Sequence, residues 1–354
     1  MLKALIEKHT LVYKKPATTS RGSLNERNLW LLKVWNSERP QIIGIGECAV
    51  LPGLSVDDVP DYEDKLNLLV ESINNGKKAE ELDLDAFPSI MFGLETALLD
   101  LKIGGKRILF ENFYSIGRQG IPINGLIWMA SKEEMLNEIK LKIAANFKCI
   151  KIKIGSLDFD EECRLLESIR KENPVQKLEL RVDANGAFDS LDALRKLKEL
   201  KTFDLHSIEQ PIKAGHQEMM QEICAKSPVP VALDEELIGK RPDVEADKLL
   251  KFIMPAFIII KPGLVGGFTK SDKWVKAAQK QKIGWWATSA LESNIGLNAI
   301  AQWVAGYNPI IPQGLGTGHL YTKNFKPYTR IENGFLWKDI AEEIEDLGAG
   351  QGEA

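Results

Sequence analysis

From about Ile121 onward, short apolar runs alternate with longer stretches in which apolar residues recur every three or four positions. That rhythm predicts repeated βα units and a parallel sheet. The runs place strands at Ile121–Trp128, Cys149–Ile154, Leu178–Asp183, Leu205–Glu209, Val229–Asp234, Phe257–Lys261 and Gly284–Thr288, with an eighth near Ile310–Gln313. A capping box, Ser131 with Glu134, opens a helix after the first of them. Eight units over about 190 residues fit an α/β fold of the TIM-like (β/α) barrel type, slightly smaller than usual. A doubly wound open sheet is the rival, but no GxGxxG motif follows a strand.

Upstream the pattern differs. Alternation over Leu29–Trp35 predicts a strand, and Gln41–Glu47 reads as its hairpin partner. The loop Ala49–Ser55 carries Pro52 and Gly53, and helical spacing follows over Asp61–Ile73 and Ser89–Leu101. The expected organisation is an α+β capping domain over residues 1–115 and a barrel over 116–320. A C-terminal segment, 321–345, then returns to the cap, and a small, polar tail at 346–354 is disordered.

Composition narrows the function. The chain has 354 residues, 44% of them hydrophobic, enough for a barrel and a smaller domain. A net charge of −4 with interspersed signs leaves no footprint for nucleic acid. No apolar run is long enough to span a membrane, and the charged start lacks a signal-peptide core. The four cysteines show no CxxC spacing, which points to a reducing cytoplasm, with Cys149 and Cys163 as small core residues. His206 and His319 read as structural. Nothing indicates an oligomer, so the expected partner is a small molecule.

The strand ends carry the chemistry, because barrel sites form at the C-terminal ends of strands. Asp183, Glu209 and Asp234 end three consecutive strands at nearly equal intervals. Three carboxylates on one rim repel unless a cation neutralises them. Oxygen donors without His or Cys favour Mg²⁺, with Mn²⁺ as the alternative. Lys151 and Lys153 share one face of the second strand, and Lys261 ends the sixth, which lies opposite it in an eight-stranded barrel. A neighbouring ammonium lowers the pKa of Lys153, as a general base near neutral pH requires. Each residue alone has a plainer explanation: a solvated lysine face, a helix-capping Asp, a loop Glu before Pro211. Their joint position at the same point of successive units argues for a site. The chemistry it suggests is removal of a proton α to a carboxylate.

These residues resemble the enolase superfamily. The resemblance rests on Lys151-Ile152-Lys153, Val182-Asp183-Ala184-Asn185-Gly186, Ile208-Glu209-Gln210-Pro211, Leu233-Asp234-Glu235 and Ile260-Lys261-Pro262, with Phe92–Leu101 resembling the helix that joins cap to barrel. It implies a (β/α)7β barrel, Lys153 and Lys261 as acid/base pair, and Asp183, Glu209 and Asp234 as metal ligands. It also implies supporting roles for Lys151, Asn185 and Glu235. Within the lysine-dependent subgroup the chain is most similar to the o-succinylbenzoate synthases, on Lys261–Gly267, Thr288–Gly296 and Gln313–Gly318. That similarity implies a lyase of menaquinone synthesis acting on 2-succinyl-6-hydroxy-2,4-cyclohexadiene-1-carboxylate. Thr288, Ser289 and Gly314 would meet the succinyl tail, and the cap loops around Arg21 and Val50–Ser55 would close over it. N-succinylamino acid racemases and other epimerases or cycloisomerases of the superfamily share the lysines and remain the alternative. The Asp-x-Asp of dipeptide epimerases is missing at Leu315-Gly316-Thr317.

Overall fold

The computed structural model describes residues 1–20 and 22–339. Arg21, expected at the substrate, and the tail 346–354 lie outside the described residues, as does the end of the 321–345 segment.

The chain opens with three strands, β1 (Leu2–Thr19), β2 (Gly22–Asn36) and β3 (Arg39–Cys48), paired antiparallel in that order. Two helices follow, α1 (Tyr62–Asn74) and α2 (Pro88–Lys102). Strand β2 is apolar on both faces, and the two faces go to different places. Trp30, Leu32 and Val34 pack with Leu66, Leu69, Ile73, Ile90 and Leu94 of the cap helices. Leu29 and Leu31 face the other way, onto Ile295, Tyr321 and Tyr328. Strands β2 and β3 match the expected hairpin, whereas β1 was not expected. That strand is rich in lysine and threonine, and much of it is exposed. Its open edge is partly closed by Asn74, whose side chain accepts from Ala4 N at 2.9 Å and donates to Ala4 O at 3.0 Å.

Helix α2 lies almost on the backbone of β3. A Cβ on Gly46 would stand 1.8 Å from the Gly93 carbonyl oxygen. Gly46→Ala is therefore expected to destabilise the protein by about 1–3 kcal/mol, as overpacking does, and urea unfolding should show a lower midpoint.

The rest runs β4 (Ile121–Pro122), β5 (Gly125–Ile127), α3 (Lys132–Ala144), β6 (Cys149–Lys153), α4 (Phe159–Glu172), β7 (Glu179–Asp183), α5 (Ala193–Leu200), β8 (Ser207–Glu209), α6 (Gln217–Lys226) and β9 (Val231–Leu233). It continues with α7 (Pro242–Ile253), β10 (Phe257–Ile260), α8 (Pro262–Val265), α9 (Gly267–Lys280), β11 (Gly284–Ala287), α10 (Asn294–Ala305), β12 (Thr329–Glu332) and β13 (Phe335–Lys338). Strands β5 to β11 form one parallel sheet in chain order. Ile150, Ile152, Leu180, Val182, Ile208, Ile258 and Ile260 join the main core beneath the helices. On the inner face near the base, Ala232, Ile259 and Trp286 cluster, with the Arg181 guanidinium 4.3 Å over the Trp286 ring.

Two expected strands differ. The first divides: Ile121–Pro122 pairs antiparallel with β13, and Gly125–Ile127 pairs parallel with β6. The eighth is no regular strand but a short bridge at Gln313–Gly314. Gln313 N donates to Pro122 O at 2.8 Å and Gly314 N to Ala287 O at 2.8 Å, so this segment joins β11, one edge of the sheet, to the residues just before β5, the other edge strand. Pro309 and Pro312 precede it and limit ladder formation. Cys163 is half-exposed, unlike the buried Cys149, and no cysteine is in a disulfide.

Cap and barrel layers meet through buried polar contacts. Glu47 on β3 accepts from Ser293 N at 3.0 Å and Gly296 N at 3.0 Å, so a cap carboxylate closes the N-terminus of α10. No described helix is long and apolar enough to cross a membrane.

Candidate active site

The register sets the site. Lys153 pairs laterally with Asp183, and Asp183 with Glu209. The three side chains therefore stand in one row at the C-terminal ends of β6, β7 and β8, facing inward. Asp234 and Lys261 follow directly after β9 and β10. All five are buried, as is Lys151.

Their contacts form one ionic cluster. Lys153 Nζ lies 2.5 Å from Asp183 Oδ2 and donates to Asn185 Oδ1 at 2.8 Å. Lys151 Nζ lies 2.8 Å from Glu209 Oε2 and 3.2 Å from Asp183 Oδ2. Lys261 pairs with Asp234. Asn185 adopts a left-handed backbone, φ 46°, which Asn tolerates, and its amide donates to Glu235 Oε1 at 3.0 Å. A chain of contacts thus runs from Lys153 through Asn185 to the residue after Asp234.

The charges are unequal in their settings. Burial lowers the proton affinity of Lys153; Asp183 opposes this and Lys151 reinforces it, leaving the pKa below that of an ordinary lysine. Lys261 is also buried, but Asp234, Glu209 and Glu235 outweigh the burial and hold its pKa up. Lys151 is held up in the same way by Glu209 and Asp183. Burial alone would raise Asp183, yet Lys153 and Lys151 keep it well below the usual carboxylate range. Burial and the neighbouring Asp183 charge push Glu209 well above that range.

A divalent cation fits this donor set. Asp183, Glu209 and Asp234 supply hard oxygens from adjacent strand ends, and Glu209 Oε1 is buried with no hydrogen-bond partner. Among the described residues no three acidic, His or Cys side chains are gathered as a ready cage. The three lysine ammoniums stand among the carboxylates instead.

Above the cluster lies a cavity of about 240 Å³. Lys151, Lys153 and Lys261 line its floor, and Thr288, Ser289 and Gly314 one wall. Gly314 is needed there, since a Cβ would stand 2.4 Å from Thr288 Oγ1. Ser289 and Thr317 share a hydrogen bond of 2.6 Å, whereas Thr288 Oγ1 is buried without a partner. The apolar side of the cavity takes Leu51 and Leu54 from the cap loop Val50–Ser55, and also Leu24 from the cap and Leu126, Trp128 and Leu291 from the barrel, which the sequence had not pointed to. No motif marks these residues. The one signal was Trp128 at the end of the first expected strand. His206 stacks on Phe257 with centroids 4.9 Å apart, away from this cavity's lining.

Residues 134–340 match the family described as Enolase C-terminal domain-like. The chain is 41% identical, over 92% of its length and 96% of the relative's, to an o-succinylbenzoate synthase of Desulfotalea psychrophila. Among solved structures, MenC from Desulfotalea psychrophila superposes with a TM-score of 0.84 at 38% identity, covering 95% of this chain and 99% of that one. A substrate-liganded L-Ala-D/L-Glu epimerase from Bacillus subtilis gives 0.81 at 18% identity, covering 95% and 96%, and shares the fold.

Proposed function

The chain belongs to the enolase superfamily, and from that premise we propose that it is an o-succinylbenzoate synthase: a dehydratase that converts 2-succinyl-6-hydroxy-2,4-cyclohexadiene-1-carboxylate to o-succinylbenzoate for menaquinone synthesis. The observation that carries the reading is the joint exposure of buried Lys153 and Lys261 to one cavity, with three carboxylates in the row between them. We take the bridge at Gln313–Gly314 as closing a (β/α)7β barrel, with residues 1–115 as cap, 116–320 as catalytic barrel and 321–345 as the returning segment. The four unpaired cysteines fit a cytoplasmic enzyme.

Lys153 removes the ring proton α to the carboxylate and returns a proton to the departing hydroxyl on the same face. Asp183 and Asn185 hold its Nζ for both transfers. Lys261 stays charged, paired with Asp234, and stabilises the negative charge that develops on the substrate carboxylate. Its ammonium also faces the ring as that ring becomes aromatic. Mg²⁺ held by Asp183, Glu209 and Asp234 supplies further positive charge to that carboxylate when bound. The apolar side of the cavity receives the ring and excludes water.

The Thr288 hydroxyl, unpartnered in the cavity wall, suits the succinyl carboxylate. A hydrogen bond to a charged group is worth about 1.5–3 kcal/mol, so Thr288→Val should raise KM about tenfold or more. Steady-state kinetics at saturating magnesium should find kcat little changed.

The two lysines in one cavity also favour a second reading, racemisation of N-succinylamino acids, with one lysine serving each face. Assay of the purified protein with magnesium against both substrates separates the two. Dehydration at the higher kcat/KM is expected; racemisation without dehydration overturns the proposal.

A further inference from the structure

Arg27 lies outside the catalytic cluster, on β2 of the cap, and is buried. Among the described residues no carboxylate lies within ion-pair distance of its guanidinium. It donates instead to three backbone carbonyls: Nε to Val50 O at 3.2 Å, Nη2 to Ala49 O at 3.0 Å, and Nη1 to Ala290 O. Ala49 and Val50 lead directly into Leu51, Pro52 and Leu54, which roof the cavity from the cap side. Ala290 itself lines the cavity on the barrel side, between Ser289 and Leu291. One planar, rigid fork therefore holds both walls at once, a geometry that lysine cannot copy. These three carbonyls, on two chain segments, take three of the five N–H donors that a buried guanidinium must place. The buried carboxyls of Glu292 and Glu47 attract the guanidinium through space, but its hydrogen bonds go to the carbonyls.

We propose that Arg27 is a positioning residue that sets the width of the substrate cavity, by tying the cap segment at Ala49–Val50 to the barrel wall at Ala290. It touches neither the reacting atoms nor the lysines. It acts by fixing how closely Leu51 and Leu54 approach Leu291, and so how tightly a ring with a short carboxylate tail is held. The inference rests on the dehydratase reading for its substrate, but the tie itself does not.

The test uses full-length Arg27→Lys and Arg27→Ala. Dehydration kinetics at saturating magnesium should show KM raised about tenfold or more with kcat within about threefold of wild type, because chemistry is intact and binding is loosened. Added guanidinium ion should lower KM again in Arg27→Ala, and ammonium ion should not. Independently of substrate, amide hydrogen exchange across residues 49–55 and 289–291 should be about tenfold faster in Arg27→Lys. Unchanged KM, or unchanged exchange in those segments, overturns the proposal. So does an Arg27→Lys protein that fails to fold, since Arg27 would then be a folding residue. If wild-type protein lacks dehydratase activity, the proposed function fails while the exchange measurement still decides the tie.

Discussion

Arginine in place of Lys153 is expected to lower dehydration by about 10³-fold or more, whereas arginine in place of Lys261 leaves measurable turnover. Both substitutions keep a cation. Both abolish proton transfer, because a guanidinium with pKa above about 12 gives up no proton near neutrality. They differ in what each position must do. In a syn dehydration the proton leaves and the hydroxyl departs on one face, so a single acid/base group serves both events. Lys153 is that group in our assignment, held between Asp183 and Asn185. Lys261, paired with Asp234, contributes charge, which arginine retains with some misfit of the larger fork. Single-turnover kinetics with each variant, with bound magnesium checked by calorimetry, makes the comparison. A Lys153→Arg enzyme that dehydrates while Lys261→Arg does not would reverse the roles. Racemisation needs a proton at each face, so for that reaction both substitutions should be fatal in at least one direction.

Asp183→Asn is expected to cost activity about 10³-fold and stability about 3 kcal/mol in metal-free buffer. The first effect follows from loss of a hard oxygen ligand and of the charge that holds Lys153. The second follows from the ion pairs. Asp183 Oδ2 faces both Lys151 and Lys153, so removing its charge leaves two buried ammoniums with less compensation. A picture of three mutually repelling carboxylates would give the opposite sign, with stability unchanged or raised. Thermal unfolding with and without magnesium decides between them. Activity near the wild-type level at low magnesium would remove Asp183 from the site.

The row of charged side chains was legible as a row because each of its members ends an apolar strand. Strand order in the parallel sheet follows chain order here, so residues ending successive strands became lateral neighbours, Lys153 beside Asp183 and Asp183 beside Glu209. The ionic pairings were not legible. Whether Lys151 answers Glu209 or Asp183 depends on side-chain reach across strands, which spacing does not specify. The apolar wall was hidden for a different reason. Leu24, Leu126 and Leu291 look like any core leucine in the sequence, and only the docked cap and sheet turn them toward a cavity. Strand β1 was missed because much of its length faces solvent and carries no apolar alternation. The eighth strand was overestimated. Its residues are apolar enough, but two prolines restrict hydrogen bonding to a bridge at Gln313–Gly314.

The closure of α10 by Glu47 has a consequence for synthesis. The carboxylate and its main partner, Ser293, are 246 positions apart. A ribosome adding about 5–20 residues per second takes on the order of tens of seconds to cover that interval. Throughout it, the nascent cap carries an acidic side chain, shaped for burial, whose amide partners do not yet exist. The cap can therefore form its own helices early but reaches its final docked state among the last events of folding. Premature termination before Ser293 leaves that acid permanently without its partners, and such fragments should be poor substrates for refolding and good ones for proteolysis.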